Sequence, residues 1–509
     1  MFILSAALAA SLVLVPLDDR PVTLQLPVLL GRIAGVPVAT PPRTMLGNYL
    51  TFGEPDRIIA WLNARAARAD AYVVSSDMLA QGGLVASRVP GVSYADAYFR
   101  LREIDRLRAR NPNAWIGAFG TITRLAPTGV PAIGDASSFF AAYPAWTYLQ
   151  AYANLHDPLL PSEEAGAETL RGQIGDTLLQ QYLDVRARNV AIDRLLISAT
   201  ATGAIDRLVL GQDDAKTYGL HVPEIAQLQA AIATAGVADR ATIEPGADEL
   251  GMALVAHALA RSAHWRPRIA VRYSTPEGAA YQDPLEFAPI DSTIDALINL
   301  CGGARVDGAR AENAPDIVLY VRLPNSAAED SVLFIAMADD WSAGRSVALA
   351  DLSFEESYAA QGDFVRKLFL AGIPSHLDAY AGWNTAANSA GTALAEAIAA
   401  GAGRRLRSYD ALAHREFTFM RFVDDVDYHV TVRPELNAWL EANGTSDHTY
   451  LLPDLASAVA ARNRALLWPL AVMTLGQLYP NMHIAAMDIT LPWNRTFETA
   501  IDARLAPNL

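Results

Sequence analysis

Short apolar segments alternate with helical segments along most of this chain, and this alternation limits the fold more than any other feature. Segments such as LVLVPL (12–17), AYVVSSDML (71–79) and RLVLGQDDA (207–215) each stand before a stretch with helical spacing. Strand–helix alternation is typical of parallel strands that are covered by helices. We therefore expect an α/β protein with about ten strands.

The places where the strand–helix alternation is interrupted suggest how the chain is divided into domains. Residues 125–205 hold aromatic and proline-rich loops and one long helical stretch, so we interpret them as an insertion. We expect a (β/α) barrel-like catalytic domain of the TIM-barrel kind at 12–265, carrying this insertion. A smaller α/β domain at 266–400 would complete the site, and 401–509 would form a helix-rich C-terminal region.

The charge balance argues against nucleic acid as a partner. The 509 residues include 55 acidic and 40 basic side chains, for a formal net charge of −15. An acidic chain without a basic run gains little from contact with phosphate backbones. A carbohydrate or another small molecule fits this balance better.

Several kinds of site and segment are missing from the sequence. The single cysteine, Cys301, allows neither an intrachain disulfide nor a cysteine-based zinc site. No GxGxxG follows a strand and no Walker loop occurs, so we expect no cofactor and a hydrolysis or transfer reaction. No segment reaches the ~18 unbroken apolar residues that a membrane span requires. The apolar start, MFILSAALAASLVLV, has no basic residue before it, and leaves open whether the protein is cytoplasmic or exported.

Polar residues recur where the predicted strands end. These residues are Asp18, Asp19, Arg20, Asp77, Arg124, Asp213, Asp214, Asp248, Glu249, Tyr380, Trp383 and Asn384. Ligand sites of α/β folds lie at the carboxyl ends of the parallel strands, so these side chains are expected at one mouth. Some of the aspartates are equally suited to cap helices, and the Asn-rich segment after Trp383 suits either a helix cap or an anion site.

The composition of this mouth suits a sugar. Carboxylates and amides bind paired hydroxyls, and an indole face packs on the apolar face of a sugar ring. Glycoside cleavage needs an acid at the leaving oxygen and a second group that stabilises the cation-like centre. The adjacent Asp213 and Asp214 point to opposite faces of an extended chain, so they would act on different parts of one substrate. Asp213, Asp214 and Glu249 are the catalytic candidates, and the remaining polar residues at the mouth would bind substrate.

Five long motifs carry a resemblance to a known family. They are VPLDDRPVT (15–23), YVVSSDMLAQGGLVASR (72–88), GQDDAKTYG (211–219), GADELGMALVA (246–256) and YAGWNTAANSAGTALA (380–395). Together and in this order they resemble the bacterial domain-of-unknown-function family DUF4127 over most of the chain. That resemblance implies no particular chemistry.

A shorter motif resembles a family of enzymes. The strand that ends in Gly-Gln-Asp-Asp is similar to retaining β-N-acetylhexosaminidases of the O-GlcNAcase type. This resemblance implies that Asp213 orients a 2-acetamido group and that Asp214 is the general acid/base. Related hexosaminidases use an Asp-Glu pair, which Asp248 and Glu249 match equally well, so both pairs stay open.

The sequence therefore favours a glycoside hydrolase that acts on a hydroxyl-rich or 2-acetamido sugar. With the hexosaminidase resemblance it would be retaining and substrate-assisted. Two alternatives remain. One is a metal-dependent hydrolase that uses Asp18, Asp19, Asp77 and Asp213 as oxygen ligands. The other is a glycan-binding protein without catalytic activity. The sugar, its linkage and the oligomeric state are open.

Overall fold

The computed structural model describes residues 11–65, 68–130, 145–307, 314–324, 326–352 and 360–508. The first ten residues, which carry most of the apolar start, lie outside the described residues, as does part of the predicted insertion. The described chain is an α/β protein with two parallel sheets, as the strand–helix alternation predicts.

The first sheet contains six parallel strands in the order β2-β1-β3-β4-β5-β6. The strands are β1 (Leu12–Val15), β2 (Val38–Ala39), β3 (Ala71–Ser75), β4 (Trp115–Ile122), β5 (Arg207–Gln212) and β6 (Ala241–Pro245). Strands β1, β3, β4 and β5 are buried along their whole length, because helices cover both faces of the sheet.

The expected barrel is not confirmed. In a barrel each new strand is added beside the previous one until the eighth closes on the first. Here the chain returns after β2 to the other side of β1, where it forms β3. Among the described residues β2 and β6 do not pair with each other, so the sheet is open and doubly wound.

The second sheet repeats the same winding. Its five parallel strands follow the order β11-β10-β9-β7-β8. They are β7 (Arg268–Tyr273), β8 (Ala304–Arg305), β9 (Ile317–Arg322), β10 (Ser346–Asp351) and β11 (Ala379–Ala381). The ten predicted strands correspond to ten of these eleven strands, and the two-residue β8 is the one without a sequence signal.

Helices lie between and around the sheets. They are α1 (Leu26–Ala34), α2 (Pro55–Arg65), α3 (Ser76–Gln81), α4 (Leu84–Ser87), α5 (Tyr94–Arg110), α6 (Ala145–Ala153), α7 (Glu164–Ile174), α8 (Asp176–Ala201), α9 (His221–Ala235), α10 (Leu250–Ser262), α11 (Ile290–Leu300), α12 (Asp330–Ser342), α13 (Gly362–Leu370) and α14 (Ala386–Leu406). Helix α10 contacts β3 and β4, and α14 contacts β9, β10 and β11. The two helices also pack on each other, so they join the two sheets through one core. Alanine and glycine dominate α14 because it is buried on nearly all sides and has room only for small side chains.

The C-terminal region is helix-rich as expected, and it also contains a β-hairpin. Its helices are α15 (Ala411–Phe422), α16 (Arg433–Ala442) and α17 (Pro453–Leu478), with a π-helical segment at Val423–Val432. Strands β12 (Met482–Thr490) and β13 (Ala500–Pro507) pair in antiparallel fashion. The loop between them, residues 491–499, reaches the first sheet and closes the site described next.

Candidate functional site

A cavity of about 560 Å³ lies at the carboxyl ends of the strands of the first sheet. Arg20 enters it after β1, Asp213 and Asp214 after β5, Asp248 after β6, and Asn384 after β11. The opposite wall comes from α16, from the loop before α17 and from the β12–β13 loop. The cavity volume is typical of small-molecule sites, and part of the polar residues predicted at the strand ends line it.

Arg20 links the ends of β1 and β6. Its guanidinium pairs with the Asp18 carboxylate at 2.8 Å and with both oxygens of Asp248, at 2.6 and 2.9 Å. The Asp18 carboxylate also accepts a hydrogen bond from Thr23 Oγ1 at 2.6 Å. Asp18, Arg20 and Asp248 thus form one ion-pair cluster, and of the three only Asp18 does not line the cavity.

Asp19 fixes the far wall of the cavity to the first sheet. Its carboxylate accepts hydrogen bonds from Arg43 at 3.1 Å, Asn48 at 3.0 Å and the indole nitrogen of Trp493 at 2.8 Å. The Trp493 ring stacks on Tyr49 with centroids 5.1 Å apart. Asp19 is thus a structural anchor and does not itself line the cavity.

Asp213 and Asp214 have different surroundings although they are neighbours. Asp213 is buried and forms an ion pair with Arg88. The Asp214 side chain is 37% exposed, and its one ion-pair partner among the described residues is Arg124, whose Nη1 lies 3.5 Å from its Oδ2. Desolvation inside the site, together with the negative charge of Asp213, raises the pKa of Asp214 to about 6. The pair therefore joins one ion-paired carboxylate to one that keeps its proton up to about pH 6.

Glu249 lies behind the cavity and does not line it. Its Oε2 accepts a hydrogen bond from Asn388 Nδ2 at 2.6 Å, and its side chain is fully buried. Burial, assisted by the charges of Asp248 and Glu286, raises the pKa of Glu249 to about 8. A buried neutral carboxyl without access to the cavity cannot act directly on a substrate, so the Asp213/Asp214 pair is the better catalytic candidate.

The start of α14 is capped by protein side chains. Thr385 Oγ1 accepts from the Asn388 amide at 3.3 Å. Asp283 accepts from the Ala386 amide at 3.1 Å, and Glu286 from the Ala387 amide at 2.6 Å. These amides are occupied, so the Asn-rich segment forms a helix cap and not an anion site.

Backbone strain concentrates around the cavity. Seven described residues other than glycine have a positive φ angle, and four of them line the cavity: Tyr49, Asp214, Asn384 and Trp493. Tyrosine and tryptophan rarely adopt this conformation, which costs about 1–3 kcal/mol for each residue. Such strain is typical of functional sites and marks this cavity independently of its charges.

Five predicted substrate-binding residues do not line the cavity: Asp18 and Asp19, which anchor its walls, and Asp77, Tyr380 and Trp383. Asp77 is buried and accepts hydrogen bonds from the Thr121 amide at 3.0 Å and from its hydroxyl at 2.8 Å. Tyr380 is buried against Phe422, and the Trp383 indole donates to Thr392 Oγ1 at 3.2 Å. These last three side chains are buried and are satisfied by core partners instead of facing the cavity. Arg124 and Asn384 do line the cavity.

Several lining residues escaped the sequence analysis: Tyr49, Trp146, Arg433, Trp493, Arg495 and Phe497. Most come from the C-terminal region, which is far from the strand ends along the chain. The segment LPWNRTF (491–497) is dense in aromatic and basic residues and was the available signal.

The aspartates considered as metal ligands already have protein partners. Asp18, Asp19, Asp77 and Asp213 accept from arginine, threonine, asparagine or indole donors. Within the described ranges no three His, Cys, Asp or Glu side chains are grouped to hold a metal ion. In the same part of the chain no helix is long and apolar enough to cross a membrane.

Comparison with known proteins identifies the family. The model of the family described as protein of unknown function (DUF4127) matches residues 12–502, so the chain belongs to this family. No curated protein and no solved structure matches it. The resemblance to O-GlcNAcase-type hexosaminidases is not supported, and its Gly-Gln-Asp-Asp motif stands at the end of an open sheet.

Proposed function

We propose that this member of the DUF4127 family is a glycoside hydrolase whose general acid is Asp214. One observation carries the proposal: Asp214 is a carboxyl with a pKa raised to about 6, beside a second, ion-paired carboxylate in a cavity of substrate size. Neighbouring carboxyls with divergent environments are typical of acid/base pairs. Up to about pH 6 most Asp214 side chains carry the proton that a leaving oxygen requires, and a smaller fraction still carries it at neutral pH.

The fixed carboxylates divide the remaining work. Asp213, held by Arg88, maintains the negative charge that keeps the Asp214 pKa high. Asp248, held by Arg20, is a further carboxylate of the lining and would stabilise the cation-like centre of the sugar. Both side chains are oriented by arginines before any substrate arrives, which is the arrangement that electrostatic stabilisation requires.

The walls of the cavity suit a sugar ring. Trp146 is a half-buried aromatic side chain on the wall, against which an apolar sugar face would pack, whereas the Phe497 ring is covered by the guanidinium groups of Arg433 and Arg495. Asn384 and Asn437 supply amide groups for hydroxyls on the same cavity. This mixture of a few polar groups and aromatic surface is typical of small-molecule sites.

The test is hydrolysis of a panel of α and β aryl glycosides, with and without a 2-acetamido group, in the presence and absence of EDTA. We expect release from at least one member, insensitive to EDTA, and its loss in Asp214→Asn. Asp239→Asn is the matched control, because Asp239 is a largely exposed aspartate outside the cavity. Release that EDTA abolishes would indicate a metal-dependent hydrolase instead. Full activity of Asp214→Asn would refute the proposal.

A further inference from the structure

Five arginines line the cavity, and their partners are unequal. Three of them are matched by carboxylates: Arg20 by Asp18 and Asp248, Arg88 by Asp213, and Arg495 by Glu498 at 2.5 Å. The two others, Arg124 and Arg433, are not matched in this way. This difference bears on the kind of substrate that the cavity accepts.

Arg433 has no carboxylate within 4.0 Å among the described residues. Its Nη1 lies 3.4 Å from His429 Nδ1, and its guanidinium lies over the Phe497 ring at 5.0 Å. Burial lowers the pKa of Arg433 and the positive charge of Arg495 lowers it further, whereas Tyr428 and the Glu498 carboxylate raise it. Glu498 is itself paired with Arg495. Burial and the positive charges of Arg433 and Arg421 lower the pKa of His429 to about 3, so this histidine supplies no charge. Arg433 is therefore a partly buried cation without an ion pair of its own among the described residues.

Arg124 no longer has a charged ion-pair partner once Asp214, the proposed acid, is protonated and able to react. Among the described residues Asp214 is the one carboxylate within 4.0 Å of Arg124, at 3.5 Å, and that group must carry a proton before it can donate one. The negative charge of Asp213 also acts on Arg124, but Asp213 is already paired with Arg88. Asp447, the remaining aspartate of the lining, is turned to Thr449, whose amide and hydroxyl donate to it at 2.9 and 2.6 Å. In the reactive state neither Arg124 nor Arg433 has an ion pair of its own among the described residues, because the other carboxylates whose charges act on them, Asp213 and Glu498, are paired with Arg88 and Arg495.

We infer that the substrate is an acidic sugar whose carboxylate or phosphate group binds Arg433, with Arg124 as a second cation on the same cavity. Guanidinium groups bind such anions through two parallel hydrogen bonds, which gives both affinity and orientation. The inference rests on the proposed glycosidase function, and it names the class of substrate.

Binding of unhydrolysable monosaccharides tests this inference separately from catalysis. Isothermal titration would compare glucuronic acid, glucose 6-phosphate and inorganic phosphate with glucose. We expect at least one acidic sugar to bind about tenfold more tightly than glucose, and Arg433→Gln to remove this preference without weakening glucose. Arg433→Lys, which keeps the charge but not the paired donors, should retain part of it. Arg366→Gln, an exposed arginine on α13, is the control.

The outcomes separate the two proposals. Four outcomes would overturn the inference. They are equal affinity for acidic and neutral sugars, binding of inorganic phosphate alone, a preference for acidic sugars that survives in Arg433→Gln, and no binding of any of these compounds. Acidic-sugar binding without hydrolysis of any glycoside would support the inference and contradict the hydrolase. Hydrolysis of neutral glycosides only would support the hydrolase and contradict the inference of an acidic substrate.

Discussion

Replacement of Glu249 by glutamine tests whether a second carboxyl behind the cavity is neutral in the folded protein. Burial raises its pKa from an ordinary value of 4.5 to about 8, so the folded state keeps this proton over a range in which the unfolded chain releases it. Stability is therefore lost as the pH rises from 4.5 to 8. One pKa unit corresponds to about 1.4 kcal/mol, so the loss is below about 1 kcal/mol at pH 5 and roughly 3 kcal/mol at pH 7.

Glutamine has the same shape, stays neutral at every pH and can still accept from Asn388. We expect the unfolding free energy of Glu249→Gln, relative to the wild type, to rise by about 2–3 kcal/mol between pH 5 and pH 7. Urea unfolding at both pH values measures it. Glu168→Gln, at an exposed position of α7, serves as the control and should give the same small difference at each pH. A pH-independent difference for Glu249→Gln would show that the folded protein ionises this carboxyl normally and would refute the reasoning.

Two further substitutions test the charge pair and the geometry beneath it. Asp213→Asn removes the negative charge beside Asp214 and so lowers the Asp214 pKa. Because the acid must hold its proton, the alkaline limb of the kcat/KM profile should move to lower pH by roughly one pH unit. An unmoved limb would contradict the coupling. Gly246→Ala should destabilise the fold by more than about 3 kcal/mol, since φ is 95° and an added Cβ would lie 2.1 Å from Glu249 Oε1. At Gly236 φ is also positive, but no atom lies within 4 Å, so alanine there should cost only about 1–2 kcal/mol in urea unfolding, and equal losses would contradict the crowding.

The parallel strands were predictable because each combines a short apolar run with a following helical pattern. The order of the strands in the sheet was not predictable. The side of β1 on which β3 pairs depends on how the helices pack over the sheet, and no local pattern records it. The same apolar runs fit a barrel or an open sheet. The hairpin β12–β13 follows a long helix and its first strand is half exposed, so its signal was weak.

The site was predictable where its residues follow strands directly. Asp213, Asp214, Asp248 and Arg20 meet as the strand ends indicate. Whether a side chain reaches the cavity or stays in the core was not predictable from the sequence. The Trp-Asn pair at 383–384 has its indole buried against α14, whereas the same pair at 493–494 has its indole on the cavity wall. Contacts such as that of Trp493 with Asp19 join distant parts of the chain and leave no local pattern.

The most direct test of the account is how the loss in Asp214→Asn depends on the leaving group. On the best sugar from the aryl glycoside panel, kcat/KM would be compared for a phenyl and a dinitrophenyl glycoside. A general acid matters only when the leaving oxygen needs a proton, so we predict a loss of about 10²–10⁴-fold for the phenyl glycoside and little loss for the dinitrophenyl glycoside. Equal loss on both substrates, or no loss on either, would contradict the assignment of Asp214 as the acid.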